Sequence, residues 1–340
     1  MTGPSALPPA VVLGAGAWGT ALALVLAYRA ERVYLWGRDG ATQRRIAATR
    51  VNARYLPEIR LPPHIELLDD LAALPRAVTT AILVTPFQTL REVLAKLATT
   101  APQIVRIASA AKGLEAGSHL TAPQIVAEVC GEALPVAILS GPNFAREVAR
   151  GLPAAITVAA STPEFGAELV ERLHSPRFRP YVTDDLTGVA IGGAVKNVLA
   201  IAAGVSDGLG LGANSLAALI TRGLAEITRL GAALGGRPET FTGLSGLGDL
   251  VLTCTQDLSR NRRFGLAVGG GQPLAAAQAE IGLVEGIATA AEVLALAERV
   301  GVEMPIAAQV AAMLRGEATP AEAVAALMSR EPRSESRGAP

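Results

Sequence analysis

The sequence predicts an α/β Rossmann-type N-terminal domain with a mostly parallel sheet, followed by an all-α C-terminal domain. Three observations predict it. A G-x-G-x-x-G turn, Gly14-Ala15-Gly16-Ala17-Trp18-Gly19, directly follows an apolar run and opens a helical one. Short β-rich runs then alternate with helical stretches as far as Asp184-Asp185. Beyond that point the β-rich runs stop and long Ala/Leu-rich helical runs take over. Strands separated by helices need crossover connections, which give a parallel sheet covered on both faces.

The expected strands are 11–13, 33–36, 65–68, 80–85, 104–109, 136–140, 155–159 and 178–183. Helices are expected between them at 18–30, 90–98, 122–129, 144–150 and 163–173. The second half reads as helices over 186–205, 213–234, 260–269, 273–280, 287–300, 305–314 and 320–329. Gly235-Gly236 and Gly269-Gly270-Gly271 punctuate these runs as turns. The expected domains are therefore 1–185 and 186–330, with a polar, disordered tail at 331–340. A chain of 340 residues suits two domains.

Composition narrows the function classes. Half the residues are apolar, enough for a core in each domain, and the net charge is zero. That balance suggests neither a nucleic-acid surface nor an anionic membrane as partner. Cys130 and Cys254 form no CxxC, so neither a zinc site nor a disulfide framework is expected, and a reducing cytoplasm is the simplest setting. His64, His119 and His174 are scattered, and no metal is assigned. Met1 to Pro9 lacks a basic region and does not read as a signal peptide. Residues 186–205 are almost wholly apolar, but Lys196 and Asn197 sit at their middle. A central charge costs about 2.5–3.5 kcal/mol in a lipid-facing helix, so a buried core helix is expected instead of a membrane span. Ala/Gly-rich helix faces pack closely, which is compatible with a homodimer through the helical domain.

The glycine turn carries the cofactor reading. Gly14 permits the tight turn, Gly16 lets a pyrophosphate approach the backbone, and Gly19 lets helix pack on strand. The helix start adds free N–H groups and a positive dipole end. After the second strand an NAD-specific site usually has an acid for the ribose 2′-OH. Here the residues are Gly37 and Arg38, with Asp39 one place later. Arg38 suits adenine stacking or a 2′-phosphate, which favours NADP or dual use over NAD alone.

Only three of the 30 basic residues are lysines: Lys96, Lys112 and Lys196. Arginine keeps its proton at working pH, whereas a buried lysine can titrate. Lys196 lies in the apolar run with Gly192 and Gly193 one turn before it, so a backbone or ligand can approach. Desolvation would draw its pKa toward working pH, as a general base requires. Asp249 is its natural partner, and a structural ion pair there would not exclude catalysis. Lys112 follows a strand end, where ligands bind in such sheets; it could polarise a carbonyl, hold a phosphate or simply face solvent. Ser140-Gly141-Pro142-Asn143-Phe144 ends another strand and could wrap substrate or cap the next helix. Residues 243–250 read as a flexible loop with a single acid, Asp249. Ser259-Arg260-Asn261 opens a helix, as a phosphate cradle or an ordinary N-cap.

Together these motifs resemble the prokaryotic NAD(P)-dependent glycerol-3-phosphate dehydrogenases over roughly residues 9 to 330. The carrying motifs are GAGAWGTALA at 14–23, AAKGLE at 110–115, SGPNFA at 140–145 and GAVKNVLAIAAG at 193–204. TGLSGLGDL at 242–250, SRNRRFG at 259–265 and VEG at 284–286 complete the series. The resemblance implies that Lys196 is the proton acceptor. It implies substrate contacts at Lys112, Gly141, Asn143, Lys196, Asp249, Ser259, Arg260 and Asn261. It implies cofactor contacts at Ala17, Trp18, Arg38, Lys112, Ala145, Arg260, Leu283 and Glu285. The family often has Ser at the place of Asn143 and a different small residue at Ala17, which implies tuning of the site. The implied reaction interconverts sn-glycerol 3-phosphate and dihydroxyacetone phosphate and supplies phospholipid synthesis. The alternatives are a β-hydroxyacid dehydrogenase, marked by carboxylate substrates, and a non-catalytic NAD(P)H-sensing protein.

Overall fold

The computed structural model describes residues 7–331. The first six residues and 332–340, on which the leader and tail expectations mainly rest, lie outside them. The chain divides into two compact units. The first runs to Ala111 and resumes over Ala122–Leu186; the second comprises Lys112–Thr121 and the chain from Thr187 onward. The ten-residue Lys112–Thr121 excursion thus belongs to the second unit, although it lies inside the stretch that reads as one N-terminal domain.

The first unit contains, in order, β1 (Ala10–Leu13), α1 (Ala17–Leu26), β2 (Val33–Trp36), α2 (Gly40–Thr49), β3 (Ile65–Leu68), β4 (Thr80–Leu83) and α3 (Leu90–Thr100). It continues with β5 (Arg106–Ser109), α4 (Ala122–Cys130), β6 (Val136–Ser140), α5 (Ala145–Ala149), β7 (Ala154–Ala160), α6 (Pro163–Leu173) and β8 (Phe178–Thr183). Each expected strand forms. The sheet order is β3-β2-β1-β4-β5-β6-β7-β8. Every pairing is parallel except β6 with β7. Helix α2 has no counterpart in the periodicity because only Gln43 and Ile46 of its residues are buried. Its start is set by Asp39, whose side chain accepts from Ala41 N–H.

Strand order reverses between β1 and β4. Leu13 registers with Trp36 on one side and Leu83 on the other, so three strands end together. This carboxyl edge is the topological switch point, where open α/β sheets bind ligands.

The second unit is helical: α7 (Leu186–Gly208), α8 (Gly212–Ala233), α9 (Pro238–Thr242), α10 (Asp249–Thr255), α11 (Arg260–Gly269), α12 (Leu274–Ile281), α13 (Glu285–Arg299), α14 (Pro305–Leu314) and α15 (Pro320–Met328). Helix α7 is long and apolar enough to cross a membrane by composition, but 94% of that window is buried. Val195, Val198, Leu199 and Ile201 pack there with Ile227, Phe241, Phe264 and Val293. Glu226 of α8 is fully enclosed and accepts Ile306 N–H at 2.6 Å and Ala307 N–H at 3.3 Å, capping α14.

Glycines four residues apart knit α7 to α11. A Cβ on Gly204 would lie 2.0 Å from the Arg262 carbonyl oxygen, and one on Gly265 2.0 Å from that of Ile201. Gly208 and Gly269 make the same kind of backbone contact one turn on. These small-residue faces are consumed inside the unit and lend no support to self-association.

Backbone atoms cannot swing aside as a side chain can, so overpacking here belongs at the upper end of its usual cost. We expect Gly204→Ala to destabilise the protein by about 3 kcal/mol. A domain of this size loses roughly 2–4 °C per kcal/mol, so thermal unfolding reads the effect directly. An unchanged midpoint would contradict the close crossing.

Candidate active site

The glycine turn sits directly after β1 at the switch point. Gly14 has φ +123°, outside the range of most L-residues, and a Cβ there would lie 2.6 Å from Val84 O. A Cβ on Gly19 would lie 1.8 Å from Gly14 O, so α1 can pack on the turn only through glycine. Nothing lies within 4 Å of a Cβ built on Gly16, which leaves the backbone open to a ligand. Asn52, unremarked in the sequence, pins the turn from behind. Its side chain donates to Ala15 O at 3.0 Å and Thr20 Oγ1 at 2.8 Å.

Among the described residues of this unit, Gln43 Oε1 of α2 is a buried oxygen without a hydrogen-bond partner, and so are three others: Thr85 Oγ1, Ser140 Oγ and Asn143 Oδ1. These last three follow or end β4 and β6. Such orphans are costly and point to a missing bound group. The open Gly16 and these oxygens fit a dinucleotide. Asn143 donates to Ala155 O at 2.9 Å, beside Gly141 with φ +148°. No side chain caps α5, so the capping alternative for 140–144 fails. Ala17 and Trp18 open α1 and are half-buried, as is Ala145 at the start of α5.

The residues after β2 also separate. Asp39 accepts from Ala41 N–H and from the Thr42 hydroxyl at 2.5 Å. Those bonds, the Thr42 hydroxyl first, hold its carboxyl below the ordinary range. Asp39 is engaged in capping α2. Arg38 is exposed.

The second unit gathers the two site lysines on one carboxylate. Lys112 Nζ donates to Asp249 Oδ2 at 2.5 Å, and Lys196 Nζ donates to Asp249 Oδ1 at 2.5 Å. Asp249 is 2% exposed. Lys196 also donates to Thr253 Oγ1 at 2.9 Å, and Thr253 donates back to Asp249 O at 2.6 Å. Burial draws the Lys196 ammonium down to about 8; Asp249 resists this and the like charge of Lys112 adds to it. Burial opposes ionisation of Asp249, but Lys112 and Lys196 outweigh it and hold the carboxyl below its ordinary range.

Asp249 stands on a more rigid frame than the expected flexible loop. Leu244–Gly248 forms a π-helical turn, closed by Gly248 N–H to Gly243 O at 3.1 Å, and Asp249 is the first residue of α10. Such turns recur at functional sites. The glycine-rich composition misled because Gly246 serves contact: a Cβ there would lie 2.1 Å from Phe241 O. Gly192 of α7 admits the same segment, with Ser245 O 3.0 Å from its built Cβ. Thr253 was missed for the same reason, since its place one turn after Asp249 matters only once α10 is a helix.

Next to Lys196, Asn197 Oδ1 accepts from Asn261 Nδ2 at 3.0 Å, and Asn261 Oδ1 accepts Gly286 N–H at 2.9 Å. Ser259 accepts Arg262 N–H at 3.2 Å and is the N-cap of α11. Arg260 is exposed beside it, Leu283 is 48% exposed, and Glu285 opens α13. The structure therefore brings together Lys112, Lys196 and Asp249, and separately Asn197, Asn261 and Gly286. Arg260, Leu283 and Glu285 belong to the helical unit, not to that of the glycine turn.

A dinucleotide turn at the switch point of one unit, and a buried lysine–carboxylate–lysine cluster in the other, define the class of NAD(P)-dependent dehydrogenases. The family comparisons make this particular. The model described as NAD-dependent glycerol-3-phosphate dehydrogenase N-terminus matches residues 9–166, and that of the C-terminus matches 185–325. The chain belongs to the NAD-dependent glycerol-3-phosphate dehydrogenase family. It is 54% identical to glycerol-3-phosphate dehydrogenase [NAD(P)+] of Aromatoleum aromaticum, over 95% of this chain and 99% of that one. The corresponding protein of Thioalkalivibrio sulfidiphilus is 52% identical over 96% of this chain and 99% of its own. The crystal structure of glycerol-3-phosphate dehydrogenase from Coxiella burnetii is similar with TM-score 0.91 and 46% identity, covering 95% of this chain and 99% of that one.

Asp249→Asn would deprive the buried Lys196 ammonium of its counter-charge and remove the carboxylate that Lys112 shares. Removing one partner of a buried pair costs about 3–5 kcal/mol. We expect a loss of that size near neutral pH in urea unfolding, and a smaller one above about pH 8, where the Lys196 amine is neutral and no longer needs the carboxylate. Equal stability of variant and parent at pH 7 would contradict the cluster.

Proposed function

We propose that the chain catalyses the NAD(P)-dependent interconversion of sn-glycerol 3-phosphate and dihydroxyacetone phosphate in the cytoplasm, supplying glycerol 3-phosphate for phospholipid synthesis. The observation that carries the reading is the pair of lysines on opposite oxygens of enclosed Asp249, each at 2.5 Å. Two ammonium groups so placed suit an alcohol oxygen that gains and loses negative charge.

When bound, the nicotinamide cofactor supplies or accepts the hydride. Lys196 takes the hydroxyl proton when glycerol 3-phosphate is oxidised and returns it when the carbonyl is reduced. A value of about 8 puts both protonation states within reach at working pH. Asp249 holds Lys196 in place and keeps it from losing its proton too readily. Lys112 steadies the oxygen as charge builds on it. Arg260, with Ser259 and Asn261 at the start of α11, holds the substrate phosphate. Gly141 and Asn143 lie on the substrate side of the β6 turn. Gly14, Gly16, Ala17, Trp18 and Gly19 cradle the pyrophosphate, with Ala145, Lys112, Arg260, Leu283 and Glu285 as further cofactor contacts. Arg38 would hold the adenosine end and could accommodate a 2′-phosphate, because Asp39 is spent as a helix cap. Both NADP and NAD are therefore accepted.

The direct assay follows NADPH and NADH oxidation with dihydroxyacetone phosphate as the only carbonyl. Because Lys196 must be charged to donate, the reduction rate should fall as pH rises through about 8, while the oxidation rate should rise across the same window. Lys196→Ala should abolish both while cofactor still binds. Turnover of 3-hydroxy acids with none of dihydroxyacetone phosphate would overturn the reading.

Arg38→Ala should lower the kcat/KM ratio of NADPH over NADH. On the order of tenfold is expected from the loss of one charge-assisted contact worth about 1.4 kcal/mol. An unchanged ratio would place recognition of the 2′-position elsewhere.

A further inference from the structure

Lys112, which donates to Asp249, opens the Lys112–Thr121 excursion that belongs to the helical unit. Leu114, two residues on, is fully buried in the helical core. The far end of the excursion is held by α13. Glu292 Oε2 accepts Gly117 N–H at 3.1 Å and pairs with His119 Nδ1 at 2.5 Å. The side chains of His119 and Glu292 are 22% and 13% exposed. His119 has φ +61°, a left-handed conformation that an ordinary side chain adopts only where its surroundings impose it. The excursion is also closed on itself: Glu115 N–H donates to Leu120 O, His119 N–H to Glu115 O, and the Ser118 hydroxyl to Glu115 Oε2.

We propose that Glu292 and His119 are positioning residues that pin this excursion and so hold Lys112 against Asp249. The inference deepens the proposed function and rests on its reading of Lys112 and Lys196. Helix α13 then serves both flanks of the cluster. Its first turn holds Asn261, and through it Asn197, by Gly286 N–H; its second and third turns hold the Lys112 segment by Glu292. Neither His119 nor Glu292 touches the reacting atoms.

The test is the pH dependence of kcat for glycerol 3-phosphate oxidation. The groups facing Lys196 are Asp249, Thr253 and Cys254 of α10 and Lys112 of the excursion. Of these only Lys112 is a like charge, so loosening it removes a repulsion and lets Lys196 keep its proton to higher pH. Glu292→Ala should lower kcat at pH 7 on the order of tenfold, within the 10²-fold that misplacing a group by about 1 Å can cost. It should also move the acidic limb of the profile toward alkaline pH, in the same direction as Lys112→Ala. Glu292→Gln keeps an acceptor oxygen for Gly117 N–H and the ring N–H and should recover most of the loss. His119→Gly allows the positive φ and removes the side chain that meets Glu292, so it carries the test should Glu292→Ala prove too unstable to assay. A wild-type limb in Glu292→Ala, or in His119→Gly if that variant carries the test, while Lys112→Ala moves it, would overturn the positioning role alone. A wild-type limb in Lys112→Ala as well would overturn the underlying reading of the site.

Discussion

One carboxylate, Asp249, holds both site lysines of the helical unit. It is enclosed and bears an ammonium group on each oxygen. A buried pair is weak evidence of stability, because desolvation offsets most of its attraction. What the cluster sets is protonation. Burial lowers the Lys196 pKa and Asp249 limits the fall, so the amine comes to rest at about 8. Lys112 completes the balance by repelling Lys196 while sharing its counter-ion.

Much of the surrounding structure can be understood as a frame for that carboxylate. The π turn at Leu244–Gly248 delivers Asp249 to the start of α10, and Gly192 lets the same segment lie against α7. The glycine faces of α7 and α11 hold those helices at backbone contact, which brings Asn261 to Asn197, the neighbour of Lys196. Lys112 comes from the ten-residue Lys112–Thr121 excursion, whose Leu114 is buried in the helical core.

The first unit was legible from sequence because its signals are local. A glycine turn after a strand, apolar runs of four to seven residues and helical spacers fix the eight strands within a residue or two at most ends. Helix α2 was lost because only Gln43 and Ile46 of it are buried, leaving no periodic stripe to read. Lys196 stood out as a lysine in an apolar helix of an arginine-rich chain, and Asp249 as the single acid near a glycine run. What could not be read was the use of those glycines. Gly246 and Gly192 look like flexibility in one dimension and prove to be contact surfaces in three. The transfer of Lys112–Thr121 to the helical unit was equally hidden, since its anchors, Leu114 and Glu292, are ordinary residues whose partners lie far along the chain. Thr253 followed the same rule: its role depends on a helix that the glycines masked.

The central claim is that Lys196 is an enclosed amine with a depressed pKa, and the chain's scarcity of lysine makes it directly observable. With three lysines in 340 residues, the side-chain nitrogens of lysine-labelled protein give three NMR signals to follow against pH. The signal absent from Lys196→Arg should titrate near 8. Titration of that signal at the ordinary lysine value of about 10.4 would contradict the account.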